Sequence, residues 1–77
     1  MCNNVNMRDK RVATIGFNIK IERLKIKMTQ EKLAEISNIS LNSVTNIETG
    51  KQVPSCLVLY DIAKALGVEI EDFYKGI

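Results

Sequence analysis

A chain of 77 residues, 45% apolar and 26% charged with a formal charge of +2, has the make-up of one small globular domain. No apolar run approaches the roughly 18 residues a membrane span needs, and two cysteines without a histidine make a poor zinc site. There is no glycine-rich phosphate loop and no nucleophile–histidine pairing, so no catalytic residue, metal or cofactor is expected and an enzyme is disfavoured. The opening stretch MCNNVNMRDKR lacks an apolar signal core. A cytoplasmic protein with Cys2 and Cys56 as reduced thiols is therefore expected. The charge is unevenly spread: residues 1–54 hold nine basic and five acidic side chains, residues 55–77 two and four. A polyanion would be met by the first part.

Residues 1–11 are polar and aperiodic, and read as a disordered basic arm carrying Arg8, Lys10 and Arg11, with the folded domain over 12–77. A first helix is predicted from about Val12 to Lys27. Its stripe of Val12, Ile15, Ile19 and Ile26 should face the core, and Phe17, Ile21 and Leu24 form a second stripe that either packs or offers a contact surface.

From Thr29 to Gly50 the chain reads as two short helices joined by a tight turn. Leu33 and Ala34 centre the first, Ile36 and Ile39 flank the bend, and Val44 and Ile47 stand i, i+3 in the second. Thr29 and Ser40 suit N-cap positions, Asn38 the left-handed residue at the bend, and Gly50 the C-terminal stop. Ala34 and Ser37 are small enough for close helix crossing. Opposite Val44 and Ile47, the face bearing Asn42, Thr45 and Asn46 presents amides and hydroxyls without charge. Base edges are read by such side chains, while long cations mostly hold phosphates; the plain alternative is a solvated face on an ordinary helical hairpin. Lys51 and Gln52 follow in a loop, and Pro54-Ser55 starts a further helix whose core stripe is Cys56, Leu59, Ile62, Ala63 and Leu66. Gly67 ends it. A last short helix over about Glu69 to Tyr74 returns Ile70, Phe73 and Tyr74 to the core, while Leu57 lies opposite the core stripe of its helix.

These residues carry a resemblance. IER at 21–23, TQ-x-x-LA at 29–34, IS-x-x-x-V at 39–44, IE-x-G-K at 47–51, Pro54-Ser55 and A-x-ALGV at 63–68 resemble the Cro/CI-type, XRE-like helix-turn-helix regulators, over about Ile15 to Phe73. The resemblance implies an all-α, five-helix lambda-repressor-like domain with the motif on helices 2 and 3, and an ion pair between Arg23 and Glu48. It further implies base contacts from Leu41, Asn42 and Thr45, and phosphate contacts from Thr29, Gln30, Ser40, Ser43, Asn46, Lys51 and Gln52. Lys27 stands where the family usually has glycine. The expected function is sequence-specific binding of a double-stranded DNA operator by a transcriptional regulator, a repressor, acting as a homodimer on an inverted repeat. Phe17, Ile21, Leu57, Val68, Ile70 and Tyr74 are the candidate dimer contacts. The alternative is a protein-binding module of the same fold, antitoxin-like or effector-binding.

Overall fold

The computed structural model describes residues 9–77 and contains, in order, α1 (Lys10–Lys25), α2 (Gln30–Ser37), α3 (Leu41–Glu48), α4 (Cys56–Leu66) and a 3-10 helix (Ile70–Tyr74). Among the described residues there are thus four α-helices, not five: the last element is one 3-10 stretch. It starts with the Asp72 amide on the Glu69 carbonyl at 2.9 Å and the Asp72 carboxylate taking the Glu69 amide at 3.1 Å. Extended backbone at Lys75 and a left-handed Gly76 stop it before an α-helical repeat can develop.

Helix α1 begins two residues earlier than its apolar periodicity indicates, because Asp9 caps it. The carboxylate accepts from the Arg11 amide at 2.9 Å and from the Arg11 guanidinium, and these bonds pull the Asp9 pKa down to about 2. Lys10 and Arg11 are therefore first-turn residues of α1 and not part of an arm; Cys2 and Arg8 lie outside the described residues. Thr29, Ser40 and Ser55 cap the other three helices, accepting from Lys32, Ser43 and Val58 at 3.0, 3.0 and 3.2 Å.

All four helices end in the same way. A left-handed residue (Lys27, Asn38, Gly50 or Gly67) is followed by an amide that reaches back to a carbonyl five residues earlier: Met28 to Arg23, Ile39 to Ala34, Lys51 to Asn46 and Val68 to Ala63, at 2.8–3.1 Å. This is the Schellman closure, which satisfies carbonyls that the helix leaves open.

Ile19, Leu33, Val44, Ile47, Ile62 and Phe73 form the fully buried centre. On α1, Val12 and Ile19 are buried and Ile15 half-buried, but Ile26 is exposed, because the helix stops at Lys25 and Ile26 already lies in the turn. Cys56 is also exposed: as the first residue of α4 it stands a turn ahead of Leu59, where the core begins. Of the second α1 stripe, Phe17 and Leu24 face solvent and Ile21 is half-buried. Buried Gly16 sets the crossing of α1 with α3. A β-carbon there would run into the carbonyl oxygen of Ile47 and stand 3.1 Å from that of Glu48, so only glycine lets the two backbones approach this closely.

Candidate nucleic-acid interface

The orientation of α3 is fixed from beneath by charge. Arg23, buried on α1, donates through Nε to Glu48 Oε2 at 2.7 Å and through Nη2 to Oε1 at 2.9 Å, and its Nη1 holds the Met28 carbonyl at 2.7 Å. The ion pair implied by the resemblance is thus present in bidentate form, with its spare donor closing the α1–α2 turn. Such a pair adds little net stability, since both ions are desolvated, but it permits only one geometry. Glu48 Oε1 takes a further bond, at 2.9 Å, from Gln30 Nε2 at the start of α2, and Gln30 Oε1 accepts the Thr45 hydroxyl at 3.3 Å. A chain of polar contacts therefore runs from α1 through α3 and α2 back to the outer side of α3.

Of the expected base-reading side chains, Leu41 (42% exposed) and Asn42 are open to solvent, and Thr45 is half-buried with its hydroxyl committed to Gln30. Ser43 and Asn46 are half-buried beside them. The Ser40 hydroxyl accepts from the Ser43 amide and donates to the Ser43 hydroxyl at 3.1 Å, so it is occupied as a cap. Exposed Thr29 precedes the free first-turn amides of α2. Lys51 is exposed and Gln52 half-buried, both with their amides on the Asn46 carbonyl at 2.8 and 3.2 Å, which sets this turn directly against the end of α3. Gln30 stands at the first turn of α2, with its carboxamide bonded to Glu48 and Thr45 and its backbone amide at the helix end.

The candidate dimer contacts differ in exposure and in the grooves they line. Leu57 (72%) and Phe17 (58%) are the most exposed, and Ile21, Val68 and Ile70 are half-buried. Val68 and Ile70 line a groove with Tyr60 and Lys64, the Lys64 ammonium lying 5.5 Å from the Tyr60 ring centre. Tyr74 lines another groove, between Val12, Ile15 and Val53.

Gly16, Asn18 and the Gln30 link carry no signal in the sequence pattern. Asn18 on α1 donates from Nδ2 to the carbonyls of Phe73 and Lys75, both at 2.8 Å, and so clamps the 3-10 helix. An uncharged amide between buried Ile19 and exposed Phe17 gives no sign of a partner 55 residues away. Among the described residues no group of side chains could hold a metal ion, and no helix is long and apolar enough to cross a membrane.

Residues 19–73, which include all of α2, α3 and α4, match the helix-turn-helix family. The chain belongs to the XRE-like helix-turn-helix transcriptional regulators. It is 39% identical over 57 residues to an immunity repressor protein of Bacillus phage phi105, covering 74% of this chain and 40% of that protein. It is 34% identical over 65 residues to a transcriptional regulator of Rhodospirillum rubrum, covering 84% of this chain and 60% of that one; this chain thus spans about half the length of these two relatives. Among solved structures, the wild-type restriction-modification controller protein C.Esp1396I superposes with a TM-score of 0.76 at 32% identity, over 84% of this chain and 83% of its own. The controller C.AhdI of Aeromonas hydrophila, at 24% identity and a TM-score of 0.80 over 82% of this chain and 96% of its own, shares the fold.

Proposed function

We propose that this chain is a sequence-specific double-stranded DNA-binding transcriptional repressor that acts in the cytoplasm, without a cofactor, by laying α3 in the major groove. The observation that carries the proposal is the outer side of α3. Short neutral side chains stand there on a helix whose orientation a buried ion pair fixes. Asn42 and Thr45 would meet base edges, with Leu41 against a thymine methyl. Thr29, Ser43, Asn46, Lys51, Gln52, the Ser40 turn and the Gln30 backbone amide would hold phosphates around them, the α2 terminus supplying a favourable dipole. The phage immunity repressor among the relatives supports repression as the outcome.

A single recognition helix covers about half a turn of DNA, too little for useful selectivity, so two copies would bind half-sites about 34–36 Å apart on an inverted repeat. The groove of Tyr60, Val68 and Ile70 is suited to a two-fold contact, because its lining also carries charges of both signs, Lys64 with Glu69 and Glu71. Binding of the purified chain to sites enriched from a random duplex library tests the proposal. Asn42→Ala should cost about 1–3 kcal/mol on the enriched site and little on random DNA, and Lys51→Ala should lower the slope of log K against log salt by about one. Equal loss on both DNAs would remove Asn42 from base reading, and absence of any enriched site would favour a protein-binding module. A complex of one chain per symmetric site at saturation would overturn the dimer.

A further inference from the structure

The geometry points to Gln30 as a specificity-determining positioning residue: through it, the buried Arg23–Glu48 pair turns the Thr45 hydroxyl into an acceptor toward DNA, so that Thr45 selects a base with an exocyclic amino group, adenine or cytosine. The inference rests on the proposal that α3 meets base edges, and adds which chemistry one of its positions reads.

Each step follows from donor and acceptor capacity. The Glu48 carboxylate, gripped by two Arg23 nitrogens at 2.7 and 2.9 Å, can only accept hydrogen bonds. The Gln30 carboxamide beside it must therefore present its NH2 group, and Nε2 stands 2.9 Å from Glu48 Oε1. This fixes the flip of the amide and sends its oxygen toward α3. That oxygen lies 3.3 Å from the Thr45 hydroxyl, which has one proton and gives it to Gln30. Lone pairs are all that remain on Thr45 Oγ1 for an outside partner.

In the major groove adenine offers its N6 amino group and cytosine its N4 amino group, whereas guanine O6 and N7 and thymine O4 are acceptors. An oxygen with only lone pairs to offer meets the first two and opposes the others. A free threonine hydroxyl would rotate and serve either kind of base. Gln30 thus acts through Thr45, while its side chain touches only protein.

Selecting sites from a random duplex library with the wild-type chain, Thr45→Val and Gln30→Met tests the inference. The wild type should enrich adenine or cytosine at the position whose preference disappears in Thr45→Val. Gln30→Met should broaden that same position to admit guanine or thymine while leaving the others unchanged. Guanine or thymine enriched there by the wild type, no position altered by Thr45→Val, or an unaltered preference in a folded Gln30→Met would each overturn the inference and leave DNA reading intact. Failure of the wild type to enrich any site would overturn both. A second measurement needs no protein variant. Replacing the selected adenine by purine, or the cytosine by its analogue lacking the 4-amino group, should weaken wild-type binding roughly five- to tenfold, and unchanged affinity would refute the acceptor role.

Discussion

Helix α1 is fastened along two seams built on opposite principles. Toward α3 it uses a buried ion pair and a backbone approach that only Gly16 allows; toward the 3-10 helix it uses a neutral amide, Asn18, across two carbonyls near the surface. The first seam is costly, since a guanidinium and a carboxylate are both taken out of water, and what it yields is a single allowed geometry. The second costs little and tolerates small displacements. The difference teaches where orientation matters: the seam under the proposed reading helix is rigid and directional, and the one that closes the C-terminal end need only hold. Breaking the first should therefore disturb stability and DNA recognition together, and breaking the second stability alone.

The largest effect is expected from Glu48→Ala, which leaves Arg23 buried without its counter-charge and should cost about 3–5 kcal/mol in urea unfolding, a large share of what a domain this small has. The sharper form is the double variant Arg23→Met with Glu48→Leu. An apolar pair of similar volume should recover most of that stability, whereas selective DNA binding should stay weak because nothing directional then holds α3 or aligns Gln30. Full recovery of selectivity would show that packing, not charge, orients the helix.

Gly16→Ala comes next. Alanine would raise helix propensity by up to about 1 kcal/mol, but its β-carbon meets backbone oxygen, which cannot rotate away as a side chain could. A net loss of about 1–3 kcal/mol is expected, with weaker binding to the selected site as α1 is pushed off α3. A stabilised variant would mean that the crossing is looser than the contact distances require.

What the sequence discloses and what it hides divide along the same line. The caps at Thr29, Ser40 and Ser55 and the left-handed Asn38 are set by neighbours within a few residues, so side-chain chemistry alone points to them. Ile26 and Cys56 depart from their expected burial for a related reason: both continue an apolar period past the point where a helix end, or the edge of the core, removes its partner. Gly16, Asn18 and the Gln30 side chain act on residues 15 to 57 positions away, and no local pattern marks them. The Arg23–Glu48 pair, equally distant in sequence, is expected only because the resemblance supplies it.

Asn18→Ala tests the second seam. It removes donors from the carbonyls of Phe73 and Lys75, which water can partly replace at this half-exposed site, so a loss of about 1–2 kcal/mol is expected. Site-selective DNA affinity at a temperature where the variant is folded should match the wild type. A change in base preference would couple the two seams and remove the contrast between them.

The smallest effect isolates strain at the end of α1, where the rigid seam begins. Four helices share one closure, yet its left-handed position is glycine in two, asparagine in one and lysine in one. A β-carbon in that conformation costs roughly 1 kcal/mol, and asparagine bears it best because its short amide can bond locally. Lys27 has φ of 57° and an exposed side chain, so it bears the strain without an evident packing return. Replacing it by glycine relieves the strain, gives back a few tenths of a kcal/mol through the freer unfolded chain, and loses a cation near the negative end of the α1 dipole. The balance should be stabilising by about 0.5 kcal/mol in thermal or urea unfolding. Asn38→Gly, with the same backbone angle but less strain to release, should stay within about 0.3 kcal/mol of wild type. If Lys27→Gly instead destabilises while Asn38→Gly is neutral, the lysine cation or stem supports the turn that Arg23 Nη1 closes through the Met28 carbonyl, and the rigid seam extends past the helix into its connecting loop.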